Sequence, residues 1–189
     1  MTPDNEMPAP PADFRRAVDA AWWLHMAFPD VAGFSAWNGR WMWRDLPAAP
    51  GPVLTGAGAL PVAGQYADGL AEARDAFLAL SDRAHWGAAY GKPGLAAYEL
   101  VGREGHFLNP RLRGFVFWAG QGAEATIEIP DQVLYLVVAG SLRAGPKGRS
   151  ARPLAPGDVA FQAAGQPHRL AAPDGPALLW ALWREVLPG

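Results

Sequence analysis

A mostly β fold with a helical N-terminal extension is what this 189-residue sequence predicts, on three observations. Nineteen prolines and twenty-two glycines interrupt short apolar runs along the chain, the pattern of strands joined by turns. From Gly94 onward the runs AAYELVG, LRGFVFWAG, ATIEI, VLYLVVAG, DVAFQAAG and ALLWALWREV are rich in β-branched and aromatic residues and alternate with turn segments such as QGAE, PD, GPKG and APG. Regular spacing of that kind reads as an antiparallel sandwich or barrel. Before Gly94, two stretches carry a helical period instead.

Taken in order, residues 1–11 are polar and proline-rich and are expected to form a disordered tail. Residues 12–93 follow as a helical and loop region packed on the barrel, which occupies 94–189. Asp13 is placed to cap a helix running to about Phe28, with Phe14, Val18, Trp22 and Met26 recurring every fourth residue as its inward face. The segment 29–67 mixes Phe34, Trp37, Trp41 and Trp43 with Pro and Gly; it receives no assignment, although so many aromatics must pack on something. A second helix is expected from about Asp68 to Ala84, with Leu70, Ala73, Phe77 and Leu80 facing inward and covering one side of the barrel.

Composition excludes several classes of function. Half of the residues are hydrophobic, enough for a core of ordinary size in one domain. Sixteen basic against eighteen acidic residues, with no long run of either sign, leave no footprint for nucleic acid or an anionic membrane. The absence of cysteine excludes disulfides, thiolate catalysis, iron–sulfur ligation and thiolate zinc sites. The opening MTPDNEMPAPPADFRR has acids and prolines where a secretory signal needs a basic start and an apolar run. No uncharged apolar stretch reaches the roughly 18 residues of a spanning helix. A cytoplasmic protein is the expectation.

The most specific motif is PGDVAFQAAGQPHRL, from Pro156 to Leu170. Pro156 and Gly157 turn into a strand, Gly165 and Pro167 turn out of it, and His168 begins the returning strand. This is similar to the second motif of the cupins. With AAYGKPGLAAYELVGREGHF, the strand GFVFWAG, the hairpin LYLVVAG ending at Gly140, and LLWALWR, the chain resembles the dimethylsulfoniopropionate (DMSP) lyase family of cupins over about residues 70–186. The resemblance implies a double-stranded β-helix barrel, or jelly roll, with an N-terminal α-helical extension. It also implies cleavage of DMSP to acrylate and dimethyl sulfide on a divalent metal such as zinc, iron, manganese or nickel. In that family H-x-H-x3-E-x-Y on the first hairpin and a histidine of the second motif hold the metal, and a tyrosine upstream is a proposed base.

Anchored on Leu134, Tyr135 and Gly140, the two histidine positions fall on Ile127 and Ile129 and the glutamate position on Val133. The upstream tyrosine position falls near Glu124. Of the family's donors, Tyr135 and His168 remain, so no metal or other cofactor is expected. In an extended segment Ile127, Ile129, Val133 and Tyr135 share one face and Glu128 and Leu134 the other. Asp131 and Gln132, in the PDQ turn, are the residues left to replace a lost ligand, and they make a weak, undirected site with one imidazole.

Tyr135, His168 and Glu124 are therefore the candidate catalytic residues, and Tyr135, His168, Ile127, Ile129 and Val133 the candidate ligand-binding set. Each has a plainer reading: His168 as a turn residue hydrogen-bonded in a pocket, Tyr135 as a core tyrosine tied to His168, Glu124 as a solvated acid. The expected function is a DMSP lyase-like cupin without the metal triad, binding a small molecule such as a sulfonium or quaternary ammonium compound against an aromatic face. The alternatives are an active carbon–sulfur lyase working on Glu124, Tyr135 and His168, and a structural cupin forming a homodimer through an outer sheet face.

Overall fold

The computed structural model describes residues 9–35, 37, 41–52, 54 and 60–186, so most of the expected tail, residues 1–8, lies outside the described residues. Three helices lead the chain: α1 (Ala12–Ala27), α2 (Pro29–Phe34) and α3 (Ala67–Leu78). The strands are β1 (Met42–Trp43), β2 (Gly87–Ala88), β3 (Leu95–Gly102), β4 (Phe107–Leu108), β5 (Arg113–Ala119), β6 (Glu124–Ile127), β7 (Gln132–Gly140), β8 (Leu142–Pro146), β9 (Arg152–Leu154), β10 (Val159–Gln162), β11 (His168–Ala171) and β12 (Ala177–Arg184). A large sheet runs β1-β4-β3-β5-β12-β7-β10, with β2 also on β3, and a small sheet runs β6-β11-β8-β9. Among the described residues the named strands pair antiparallel, except β3 with β4, and an isolated bridge joins Ala49 and His85 in parallel. Consecutive strands cross between sheets from β5 to β6, β7 to β8 and β10 to β11, the crossing pattern of a jelly roll.

Alternation along the strands of the large sheet divides the core in two. On β7, Leu134, Leu136 and Val138 face the helices, where they meet Leu24, Leu70 and Phe77. Val133, Tyr135 and Val137 face the barrel interior, with Ile127 of β6 and Leu170 of β11. On β12 the same division puts Leu178, Trp180 and Leu182 outward under the helices and Leu179 and Ala181 inward. A strand buried on both faces reads as continuous apolar sequence, which is why LYLVVA and ALLWAL show no polar alternation. The outer face of the small sheet is polar instead, presenting Glu124, Thr126, Arg143 and Arg169 to solvent.

Gly140 is where β7 leaves the large sheet for β8 of the small one. Its φ of +81° belongs to the left-handed region, and a Cβ there would run into the Pro176 carbonyl and Ala177. Glycine is the residue that meets both demands.

The first helix departs from expectation in two ways. Pro11 occupies the N-cap, and Asp13 lies in the first turn, where its carboxylate accepts from the Phe14 amide at 3.1 Å and pairs with Arg83. The buried face is Phe14, Ala17, Ala20, Ala21, Leu24 and His25, while Trp22 is 48% and Met26 67% exposed. At 3.6 residues per turn, a spacing of four drifts by about 40° each step, so a row begun at Phe14 leaves the core by Met26. The second helix ends at Leu78, short of Ala84; Leu70, Ala73 and Phe77 are buried as expected, and Leu80 is buried from the turn beyond.

The unassigned segment contributes α2, begun by a proline at its first turn, and β1. Trp37, Trp41 and Trp43 pack against the helix-side core. The region before residue 94 thus supplies two short strands, β1 and β2, to the large sheet itself. Among the described residues no helix is long and apolar enough to cross a membrane.

Candidate functional site

β7 and β11 belong to opposite sheets, and the barrel brings their inward side chains together. The Tyr135 hydroxyl lies 3.3 Å from His168 Nε2. Tyr135 is 1% and His168 7% exposed. A third residue completes the group: the Tyr90 hydroxyl is 2.6 Å from that of Tyr135. Tyr90 sits in a 3-10 turn, Ala89–Gly91, that follows β2, and its ring stacks on Trp183 of β12 at 5.7 Å and 8°.

Tyr90 is held at φ +54°, the only positive φ among the described residues other than glycine. A bulky side chain in this region costs of the order of 1–3 kcal/mol and persists where the surroundings over-determine it. Here the stacking on Trp183 and the bond to Tyr135 do so. Sequence reasoning missed Tyr90. It lies in AAYGKPG, where a turn carries no periodicity to say which way a side chain points; its one signal is a tyrosine wedged between turn glycines.

The expected interior set is otherwise together. Ile127 and Val133 are buried in the same apolar cluster as Tyr135, Ile129 is partly buried against it, and Glu128 is exposed. His168 pairs across the sheet with Ile127 on one side and Pro146 on the other. Glu124 does not join them. In register with Ala171, it points outward from β6, exposed, and pairs with Arg169 Nη2 at 2.9 Å. Since Ala125 and Ile127 face inward, the two-residue period sends Glu124 and Thr126 to solvent. Gln132 is committed elsewhere too, its Oε1 accepting from Arg184 Nε at 2.8 Å and Nη2 at 2.5 Å. His106 accepts the His85 backbone amide at 3.1 Å, beside Phe14 and Trp43 and far in the fold from His168.

Burial sets the protonation of the cluster. It lowers His168 to about 4, the Ile127 carbonyl partly opposing, so the imidazole is neutral near pH 7. Burial also pushes both phenols above their ordinary value; the Tyr135 and Trp183 hydrogen bonds partly counter this at Tyr90. All three groups are uncharged, and each can pass or hold a proton only weakly.

A divalent metal needs several deprotonated donors around it. Among the described residues no group of three or more His, Asp and Glu approaches closely enough to hold one. Ile127 and Val133 fill the wall beside His168, and the phenols resist ionisation. These residues do not fit the metal that the resemblance implies.

Beside the cluster lies a cavity of about 280 Å³, lined by Tyr135, His168, Gln162, Arg152, Ala144 and Phe161 among others. Among the described residues, no acid is in its lining. On the far side of Tyr90 a smaller cavity, about 180 Å³, is walled by Tyr90, Phe115, Phe117, Trp183 and Glu99. The aromatic faces there are already taken by a cation of the chain itself. The Arg113 guanidinium lies 5.2 Å from the Phe115 ring centre and 5.3 Å from that of Trp183, held by Glu99 at 3.0 Å.

No family model matches the chain. Over 123 residues, 60% of this chain, it is 31% identical to the dimethylsulfoniopropionate lyase DddQ of Ruegeria pomeroyi, and the match spans 61% of that relative's length. A solved structure from crystal work on the DMSP lyases RdDddP and RnDddQII superimposes with a TM-score of 0.83 at 28% identity, covering 93% of each chain. The crystal structure of the DMSP lyase DddQ from Ruegeria pomeroyi gives 0.74 at 27% identity, over 94% of this chain and 93% of that one. In fold and in sequence, the chain is similar to dimethylsulfoniopropionate lyases.

Proposed function

We propose that this cupin binds a small molecule without a metal, in the cavity beside Tyr135 and His168, and that the lyase chemistry of its relatives has degenerated in it. The observation behind this reading is the chain Tyr90–Tyr135–His168, closed in by Ile127 and Val133 rather than by further donors, next to a cavity of about 280 Å³. β-Elimination from a carbon acid needs a base for the proton and a positive or hydrogen-bonding partner for the developing enolate. A histidine lowered to about 4 is a poor base, and nothing in the cluster carries the charge a metal would bring.

The second reading, a carbon–sulfur lyase acting on DMSP, is favoured by the likeness to DddQ. It would have to run on Tyr90, Tyr135 and His168 alone, since Glu124 is outside the barrel. Headspace detection of dimethyl sulfide after DMSP is added to the purified protein separates the two. The proposal expects release at the rate of a buffer control; turnover that disappears in Tyr135→Phe would overturn it.

A further inference from the structure

We infer that Arg113 is a specificity-determining residue: it fills, from within the chain, a cation cage built by three strands and Tyr90, and so closes that part of the barrel to onium guests. The inference does not depend on what occupies the cavity beside His168.

Strand register builds the cage. On β5, Arg113, Phe115 and Phe117 stand at a two-residue spacing and share one face. Arg113 lies directly across from Trp183 of β12, and Phe115 across from Glu99 of β3. The Phe115 and Trp183 ring centres are 5.0 Å apart, and the Tyr90 ring, in its left-handed turn, stacks on Trp183. Glu99 adds a carboxylate whose side chain is 7% exposed. Gly102 leaves room for it, since a Cβ there would run into Glu99 Oε1.

Aromatic faces beside a buried carboxylate are the groups that hold an onium ion. The cavity they wall, about 180 Å³, is several times the roughly 30 Å³ share of one water, room for a small cationic head. Arg113 takes these groups itself. Its guanidinium lies 5.2 Å from the Phe115 ring centre and 5.3 Å from that of Trp183, and Nε donates to Glu99 Oε1 at 3.0 Å.

A buried carboxylate needs a cation beside it, and here the chain supplies one from the neighbouring strand. A tethered group acts at an effective concentration of the order of millimolar or more. An outside cation must displace it, and is repelled by the guanidinium as it approaches. Without Arg113 the two ring faces and the carboxylate would be left to a guest of the same charge.

The test follows the Trp183 indole resonance of the full chain, wild type and Arg113→Ala, during titration with choline and with 3,3-dimethylbutan-1-ol, its uncharged carbon isostere. It is run at pH 8, where Glu99, shifted upward by burial, stays ionised. Choline should leave the wild-type resonance in place and shift that of Arg113→Ala saturably, with a Kd at least about tenfold below any for wild type. The alcohol should shift neither. Saturable choline binding at Trp183 in wild type overturns the inference, as does a variant that ignores choline or answers the alcohol equally well; none of these bears on the cavity beside His168. If Arg113→Ala does not fold in sodium chloride, refolding in choline chloride at equal ionic strength reads the same binding: recovery is expected, and its absence overturns the inference.

Discussion

The Tyr90 and Tyr135 hydroxyls lie 2.6 Å apart across 45 residues of sequence. That bond ties a strained turn after β2 to the centre of the barrel, and His168 extends it to the opposite sheet. Tyr135→Phe would leave both the Tyr90 hydroxyl and His168 Nε2 without their partner, at a cost of roughly 1–3 kcal/mol. Tyr90→Phe should cost less, about 1 kcal/mol, and the double variant less than the sum, because the two share one bond. Urea denaturation of the four proteins measures this; additive losses would mean that the hydroxyls do not interact.

Acid should destabilise the protein well above the range of ordinary carboxylates. Burial lowers His25, His106 and His168 each to about 4, against roughly 6.5 in an unfolded chain. Between those values the unfolded state binds more protons, so stability rises with pH there. The contribution is complete above about pH 6.5 and is lost as pH falls toward 4. Urea midpoints taken from pH 7 to 4.5 should therefore drop with a slope approaching three protons, and a variant lacking one of these histidines should lose about a third of it. A flat profile over this range would show that the rings are not buried as neutral groups.

The fold was largely legible because its evidence is local. Turn residues at Gly140, Pro156, Gly157 and Gly165, and the two-residue period at Ile127, Ile129, Val133 and Tyr135, fix which side chains face inward. Burial on both faces of β7 and β12 was harder to read, since such strands show no alternation. Two of the three residues of the cluster were legible for the same local reason: Tyr135 and His168 lie on strands whose register is set by the motif. Tyr90 was not, because its direction comes from a left-handed turn and a stack on a residue 93 positions away. Glu124, placed near the upstream tyrosine position by the alignment, is the first residue of β6 and takes the outward side of the period, in keeping with its plainer reading as a solvated acid. The face of α1 was misread because a four-residue spacing is not the helical period.

Glu124→Gln should have almost no effect. Its partner Arg169 is on the solvent face of the small sheet, and exposed pairs contribute about 0–1 kcal/mol. Thermal unfolding should shift little, and ligand binding in the cavity not at all. A loss of binding in this variant would bring Glu124 back into the site.

Ile127→His, Ile129→His and Val133→Glu together should rebuild a metal site with His168. Ile127 and Val133 are fully buried, and removing each branched side chain costs about 1.5–3 kcal/mol; the new glutamate adds a desolvation penalty. Without metal the triple variant should be markedly less stable than the parent. A metal that binds only the folded state returns about 2.7 kcal/mol at a hundredfold excess over Kd. Melting temperatures under zinc or nickel should rise in the variant and not in the parent. If neither responds, the side chains at 127, 129 and 133 do not converge with His168.

The central claim is that this barrel works without a metal, and elemental analysis of protein purified without chelator from metal-supplemented medium tests it most directly. The account predicts zinc, iron, manganese and nickel together at well below one per chain, unchanged by His168→Ala. One tightly held metal per chain, lost in His168→Ala, would contradict it.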